Sequence, residues 1–338
     1  MKKAGRGARE KRVFFFGDGG TEGRRLGRET LGGKGYGLVQ MTAMGVPVPP
    51  GFVISTAVCA KYSRTGKYPP GLEAEVEAHL SRLERVTGKI FGDRENPLLV
   101  SVRSGAPASM PGMMDTILNL GLTHEAKAGF GHAAGERFAR DCRRRLISMF
   151  GDVVLKVPKH KFEDAIAAAR KRSGVATDAE LSAQDLRALS TKYLEIIRKQ
   201  GKRFPEDPRK QLWGAIGAVF QSWDNERARA YRKLNHIPET WGTAVTVQAM
   251  VFGNLGDDCA TGVAFTRNPA TGEKALYGEF LPNAQGEDVV AGIRTPHPIS
   301  ATGRGDSLEE MMPSVHGKLL RVRAALEKNF RDMQDIEF

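Results

Sequence analysis

The chain reads as an α/β protein, α+β in layout, with sheet-forming segments at both ends and a helical segment between them. Three observations carry this reading. Short apolar runs with β-branched or aromatic members stand at residues 13–16, 98–102 and 244–251, bounded by glycine, proline or polar turn residues. From about residue 123 to residue 234 apolar positions recur three and four apart, which is the helical period. Glycine-rich stretches punctuate the first segment, where the backbone must turn tightly or approach another group closely. The expected division is 1–121, 122–240 and 241–338.

At 338 residues the chain exceeds the usual single-domain length and can bury sizeable cores. Its 41% hydrophobic and 27% charged residues are ordinary for a globular protein, and no apolar run approaches membrane-spanning length, so no membrane partner is expected. A net charge of +12 would suit nucleic acid, yet the basic residues are spread over helices, aromatics make up only 7%, and no nucleic-acid module is recognisable. The positive charge then points to nucleotide phosphates, with no nucleic acid as partner. Cys59, Cys142 and Cys259 fit neither a zinc spacing nor a disulfide scaffold and read as reduced thiols of a cytoplasmic protein. The basic opening MKKAGRGAREKR precedes only four apolar residues, too few for a secretory signal, and is expected to be disordered.

Taken in order, Val13 to Phe16 form a first strand closed by Gly17, Asp18, Gly19 and Gly20. LGGKGYGLVQMTAMG, residues 31–45, sets Lys34 among Gly32, Gly33, Gly35 and Gly37 before a short helix with Leu38 and Met41. It is not Walker A, because Lys34 is followed by glycine, and it does not fit GxGxxG. Its physical content is a backbone able to approach an anion at a helix N-terminus, with Lys34 as a point charge. VPVPPGFVIST then adds an extended entry and a strand, with Ser55 or Thr56 able to cap the next helix. Leu72, Val76, Leu80, Leu83 and Val86 form the core stripe of a helix over 71–87.

The strand at 98–102 ends at Arg103. After it, Ser104, Gly105, Ser109 and Gly112, with Pro107 and Pro111, cannot continue a sheet and offer N–H groups and hydroxyls to a ligand. A fixed guanidinium beside such a loop suits polyphosphate. On pattern alone, a surface connection whose Arg pairs with an ordinary carboxylate is the commoner arrangement.

In the helical segment Arg137, Arg140, Arg143, Arg144 and Arg145 crowd one helix, and such a run is expected to be a solvated face with no catalytic role. Asp207 followed by Pro208 marks a helix start, leading into the packing residues Leu212, Ile216, Val219, Phe220 and Trp223. Beyond Trp241 strands are expected at 244–251, 262–266 and 275–280. Gln248 and Met250 share a side by the two-residue period; they suit an adenine, or simply line a half-buried antiparallel strand. Glu287 and Asp288 follow a Gly-bearing turn, placed for a ribose or a metal and equally able to cap a helix. In RDMQDIEF, Asp335 and Glu337 alternate with Ile336 and Phe338, so both carboxylates face one side of a closing strand. That face would hold Mg²⁺ through hard oxygen ligands, or be merely solvated.

Ten ordered strings, FFFG, LGGKG, GVPVPPGF, LVSVRSGA, SMPGMMDTILNLGL, NHIPETWGTAV, VQAMVFGN, TGVAFTRNPATGE, NAQGEDVVAGIRTP and NFRDMQDIEF, resemble the N-terminal nucleotide-binding part of the pyruvate, phosphate dikinase family. Phosphoenolpyruvate synthase shares the LGGKG and VRSS-like elements and ranks second, because SMPGMMDT and NAQGEDVVAG favour the dikinase branch. The resemblance implies an ATP-grasp fold in which two sheet-containing subdomains clamp ATP. It implies that Lys34 and Arg103 are the catalytic cations on the ATP phosphates and that Gly112 belongs to a mobile loop over them. By the same resemblance Thr261 and Gly262 support nucleotide binding, Glu287 and Asp288 contact the nucleotide, Gln248 and Met250 lie near the adenine, and Asp335 and Glu337 bring in Mg²⁺. The implied reaction converts ATP, phosphate and pyruvate to AMP, pyrophosphate and phosphoenolpyruvate. It would use a phosphocarrier histidine domain and a pyruvate-binding barrel as partners, both expected outside this chain, since none of the seven histidines stands in the family's TSH context. A catalytically silent ATP-binding module is the other outcome.

Overall fold

The computed structural model describes residues 11–290, 294–301, 303 and 305–338, apart from the side chains of 126–128, 133, 287 and 290. They fall into two compact units, 1–43 with 48–250 and 44–47 with 251–338. Sheets and helices occur in both, as an α/β chain requires.

Unit 1 is built on β1 (Val13–Gly17), β2 (Gly20–Thr21), β3 (Gly51–Ile54), the small pair β4 (Ile90–Phe91) and β5 (Pro97–Leu98), β6 (Val100–Gly105), β7 (Thr116–Leu120) and β8 (Ala244–Ala249). Six of these form an antiparallel sheet in the order β2-β1-β3-β8-β6-β7. β1 is buried along its whole length, so both faces of the sheet are covered. On the Phe14 and Phe16 face the cover is α1 (Arg28–Ala43), whose Leu31 and Val39 pack with Val53 and Ala244. α2 (Thr56–Thr65) and α3 (Leu72–Thr87) follow, and Leu72, Val76, Leu80 and Leu83 are buried as the stripe requires. Ser55 precedes α2 without a side-chain cap; the Thr56 hydroxyl instead donates to the Glu29 carbonyl at 2.5 Å.

The sequence reading groups residues 241–250 with the C-terminal part, whereas β8 sits inside the first sheet, hydrogen-bonded to β3 and β6. The physical reason is its burial: Ala244 to Gln248 are buried on both faces, and a strand of that kind is stable only with neighbours on both edges. Gln248 and Met250 therefore belong to unit 1.

The helical run holds α4 (Ala126–Ala134), α5 (Glu136–Met149), α6 (His160–Ser173), α7 (Ala183–Lys199), α8 (Pro208–Ser222) and α9 (Glu226–Leu234). The starts of α7, α8 and α9 are marked by polar caps: Ser182 and Asp185 form a capping box, Asp207 accepts from the N–H groups of Arg209 and Lys210, and Asn225 accepts from the Ala228 N–H. The arginine run on α5 is not a solvated face, contrary to expectation. Arg143 and Arg144 are only 3% and 7% exposed. Arg143 donates to the Leu122 carbonyl at 2.6 Å and pairs with Glu206 at 2.5 Å, while Arg144 and Arg145 both bond Asp141, itself buried. The Leu122 carbonyl and Glu206, both outside α5, draw Arg143 inward, while Asp141 on α5 itself holds Arg144 and Arg145.

On β1's other face, Glu22 accepts from the Phe15 N–H at 2.8 Å and pairs with Lys11, His79 and Arg82 at 2.9, 3.2 and 3.1 Å. Burial resists its ionisation, but the Phe15 amide, Lys11 and His79 outweigh that and hold the carboxyl down to about 2 from 4.5. A depressed folded-state pKa stabilises above the unfolded value and loses that contribution as pH falls through the folded one. Wild type should therefore lose more urea resistance than Glu22→Gln between pH 5 and pH 2; parallel acid limbs would refute the assignment.

In unit 2, β9 (Ala260–Phe265), β10 (Tyr277–Pro282), β11 (His297–Pro298) and β12 (Asp335–Glu337) make an antiparallel sheet in the order β11-β10-β9-β12. α10 (Gly286–Val290), α11 (Leu308–Met311) and α12 (Pro313–Phe330) complete the unit, and its buried residues include Ala264, Phe280, Ile299, Leu308, Leu319 and Leu326. Among the described residues no helix is long and apolar enough to cross a membrane.

Candidate functional site

Gly32 interrupts α1 with φ 68° and ψ 167°, a backbone region open essentially to glycine alone. The break lets the Gly33 N–H donate to the Ala106 carbonyl at 2.8 Å and starts the second helical section at Lys34. Lys34 abuts the end of β6: a Cβ on Gly105 would lie 3.5 Å from the Lys34 Cβ. Arg103 lies two residues before Gly105 and therefore on the same face of the strand. Lys34 and Arg103, far apart in sequence, are thus brought to one end and one face of β6.

Arg103 is half-buried, its Nε is fully buried, and among the described residues its guanidinium finds neither a carboxylate nor a carbonyl partner. A cation in that state costs free energy unless an anion completes it. Gly112 forms the tip of the following loop. Met113 N–H donates to the Met110 carbonyl at 3.2 Å, and Gly112 has φ 69°, the geometry of a type II turn with Pro111 at its second position. The loop is tied down beyond the tip: Asn225 donates to the Met113 carbonyl at 3.1 Å and Arg227 pairs with Asp115 at 3.3 Å. Burial pushes the Asp115 carboxyl above its usual range, with Lys156 and Arg227 opposing.

Gln248 lies on the face of β8 that carries Thr246, but its amide donates to the Pro49 carbonyl at 2.9 Å, which commits that donor to the fold. The Met250 sulfur accepts from the Asn119 N–H at 3.0 Å. Asn119 and Thr246 are not among the expected site residues, yet both are buried with polar atoms unpartnered. The available signals were an Asn within the apolar run ILNLG, and Thr246 two residues before Gln248 on the same period.

Unit 2 carries the other expected residues. Asp335 and Glu337 are exposed on β12 while Ile336 between them is buried, so the carboxylates do share one face. Partial burial, then the neighbouring Glu337 charge, pushes the Asp335 carboxyl above its usual range. Among the described residues no three His, Cys, Asp or Glu side chains gather as a metal cluster. Two adjacent carboxylates in mutual repulsion nevertheless fit Mg²⁺, which keeps several waters and takes the rest of its oxygens from a phosphate substrate. Thr261 donates its hydroxyl to the Phe338 carbonyl at 2.9 Å, and Gly262 exchanges backbone hydrogen bonds with Phe338 at 2.9 and 3.0 Å. Both are engaged in the strand ladder. Asp288 accepts from the Gln285 N–H at 2.9 Å, next to the start of α10, which is the capping alternative raised by its position. The Glu287 side chain lies outside the described residues.

The family model for the pyruvate phosphate dikinase AMP/ATP-binding domain matches residues 28–83 and 67–315. The chain is 54% identical over 337 residues to pyruvate, phosphate dikinase of Rhizobium meliloti (strain 1021), covering 97% of this chain and 38% of the relative. It is 51% identical over 332 residues to pyruvate, phosphate dikinase of Clostridium symbiosum, covering 97% and 37%. It is also 51% identical over 331 residues to the chloroplastic pyruvate, phosphate dikinase 1 of Arabidopsis thaliana, covering 97% and 34%. The chain therefore spans somewhat over a third of the length of these relatives. With more than half of its residues matched by the family model, the chain belongs to the pyruvate phosphate dikinase AMP/ATP-binding domain family.

Proposed function

We propose that the chain binds Mg·ATP as the nucleotide part of a pyruvate, phosphate dikinase and passes a phosphoryl group toward a phosphocarrier histidine. The whole reaction would convert ATP, phosphate and pyruvate to AMP, pyrophosphate and phosphoenolpyruvate, in the cytoplasm, with a pyruvate-binding barrel completing it. The observation that carries this reading is the half-buried Arg103 guanidinium, without a carboxylate partner among the described residues and on the same strand end as Lys34. A polyphosphate supplies the missing negative charge, and its equatorial oxygens match the planar fork of an arginine.

In this reading Arg103 binds phosphate oxygens bidentately and Lys34 adds a point charge. Both hold the transferring group in line and neutralise charge as it builds. The loop tip at Gly112 covers the phosphates. Asp335 and Glu337 would hold Mg²⁺, which when bound neutralises and orients phosphate oxygens. Gln248 and Met250 serve the adenine side by packing, and Thr261, Gly262, Glu287 and Asp288 the nucleotide side.

The test is calorimetric titration of Mg·ATP into the purified chain. Loss of a charge-assisted, bidentate contact should weaken binding by Arg103→Ala roughly ten- to hundredfold. The double variant Asp335→Asn, Glu337→Gln should raise the Mg²⁺ concentration needed for half-maximal binding. Unchanged affinity for Arg103→Ala would sink the reading.

A further inference from the structure

Gly105 is the last residue of β6, where the strand leaves the sheet for the Gly112 loop. Pairing with β7 has already ended at Arg103 opposite Thr116, and across β8 Gly105 faces Ala244, the first residue of that strand. A peptide at such a corner stands at the end of its ladder, so its buried N–H needs an acceptor from elsewhere. Thr243, just before β8 and 0% exposed, supplies one. Its hydroxyl accepts from the Gly105 N–H at 3.0 Å and donates to the Ala244 carbonyl at 2.9 Å. With its one hydrogen directed at Ala244, the oxygen meets Gly105 as an acceptor, as the N–H requires.

The same strand end carries Lys34 on it. A Cβ on Gly32 would overlap the Gly105 carbonyl oxygen, the Gly33 N–H donates to the Ala106 carbonyl at 2.8 Å, and a Cβ on Gly105 would lie 3.5 Å from the Lys34 Cβ. Residues 32–34 are therefore seated on 105 and 106 by backbone contact, with no flexible side chain between them to absorb a shift. We infer that Thr243 is a positioning residue for Lys34, because its hydroxyl fixes the strand end on which Lys34 is seated. The inference rests on the reading of Lys34 and Arg103 as phosphate-binding cations. A buried N–H that loses its acceptor turns toward another, and a displacement of about 1 Å is enough to weaken a positioned charge.

The experiment is Mg·ATP titration of Thr243→Val and Thr243→Ser, each with Lys34 and with Lys34→Met. Valine keeps the branched shape of threonine and removes the hydroxyl, serine keeps the hydroxyl, and methionine removes the Lys34 charge while keeping an unbranched stem. With Lys34 in place, Thr243→Val should weaken ATP roughly three- to tenfold, with Thr243→Ser close to wild type. In the Lys34→Met background the loss from Thr243→Val should vanish. A merely structural threonine would lower resistance to urea in both backgrounds without this split in affinity. Equal affinity losses in the two backgrounds, no loss in either, or a loss for serine as large as for valine overturn the inference, while an effect of Arg103→Ala keeps the functional reading. If Lys34→Met itself changes nothing, the place of Lys34 in that reading fails and the inference with it. Amide hydrogen exchange of the wild-type chain without nucleotide, read by NMR at Gly105, tests the anchor with no substitution. Slow exchange is expected, and exchange as fast as that of an open loop overturns the inference.

Discussion

Asp141→Ala is expected to lower the stability of unit 1 by about 3–5 kcal/mol, because it removes a buried carboxylate that two arginines share, one of them, Arg144, only 7% exposed. Asp141 Oδ1 accepts from Arg144 Nε at 3.0 Å and Oδ2 from Arg145 Nε at 2.9 Å. Arg144 retains a longer contact to Asp178 at 3.8 Å and its interaction with the Tyr193 hydroxyl. Burial alone would push the Asp141 carboxyl up, but Arg144 and Arg145 outweigh it and hold it below the usual carboxylate range. Its contribution is therefore present at and above the ordinary carboxylate pKa and lost as pH falls through the lower folded value. Replacing the cluster together, as Asp141→Leu with Arg144→Met and Arg145→Met, should cost much less, since an apolar substitute needs no counter-charge. Trp213, Trp223 and Trp241 all lie in unit 1, so tryptophan fluorescence during urea unfolding reports this unit. A loss under about 1 kcal/mol for Asp141→Ala would mean that water reaches the arginines and that the network is a surface feature after all.

The burial of that network marks where reading the chain as a string reaches its limit, although Asp141 lies only three and four residues from its two arginines. Short-range features were legible because their causes are local. The stripe of α3 follows from a 3.6-residue period, the start of α8 from Asp207 before Pro208, and the alternation of Asp335, Ile336 and Glu337 from the pleat. The turn at Gly112 follows from Pro before Gly. What stayed hidden depends on partners far along the chain. Arg143 meets Glu206, 63 residues away, and Thr261 meets Phe338, 77 residues away. The place of β8 between β3 and β6 is likewise a long-range pairing, which no window of sequence around Gln248 contains. For the candidate site the same division holds. Lys34 and Arg103 were visible as a cation among glycines and a cation at a strand end, whereas Gln248 looked available until the Pro49 carbonyl came to occupy its amide. Asn119 was overlooked because a left-handed bulge residue inside an apolar run has no periodic signature.

Gly32→Ala should produce the second large effect, and its neighbour Gly37→Ala the opposite one, although both glycines lie in the same short motif. At Gly32 a Cβ would overlap the Gly105 carbonyl oxygen and come 3.1 Å from the Ala244 Cβ, while the backbone is left-handed in φ. Strain of about 1–3 kcal/mol from the backbone adds to the cost of separating α1 from β6, so a loss of several kcal/mol is expected. Relief requires α1 to move away from β6, and that motion carries Lys34 away from Gly105 and thus from Arg103. Mg·ATP affinity should therefore fall along with stability. Gly37 has nothing within 4 Å of a new Cβ and sits in helical backbone, so alanine there should stabilise by up to about 1 kcal/mol. Measured side by side, by urea unfolding and by titration, the pair separates two roles that glycine plays in LGGKGYG. If Gly32→Ala were as stable and bound ATP as tightly as wild type, the contact between α1 and β6 would not be what sets Lys34 in place. If both substitutions destabilised alike, the motif would be intolerant of side chains in general, and the specific role of the Gly32 break would fall.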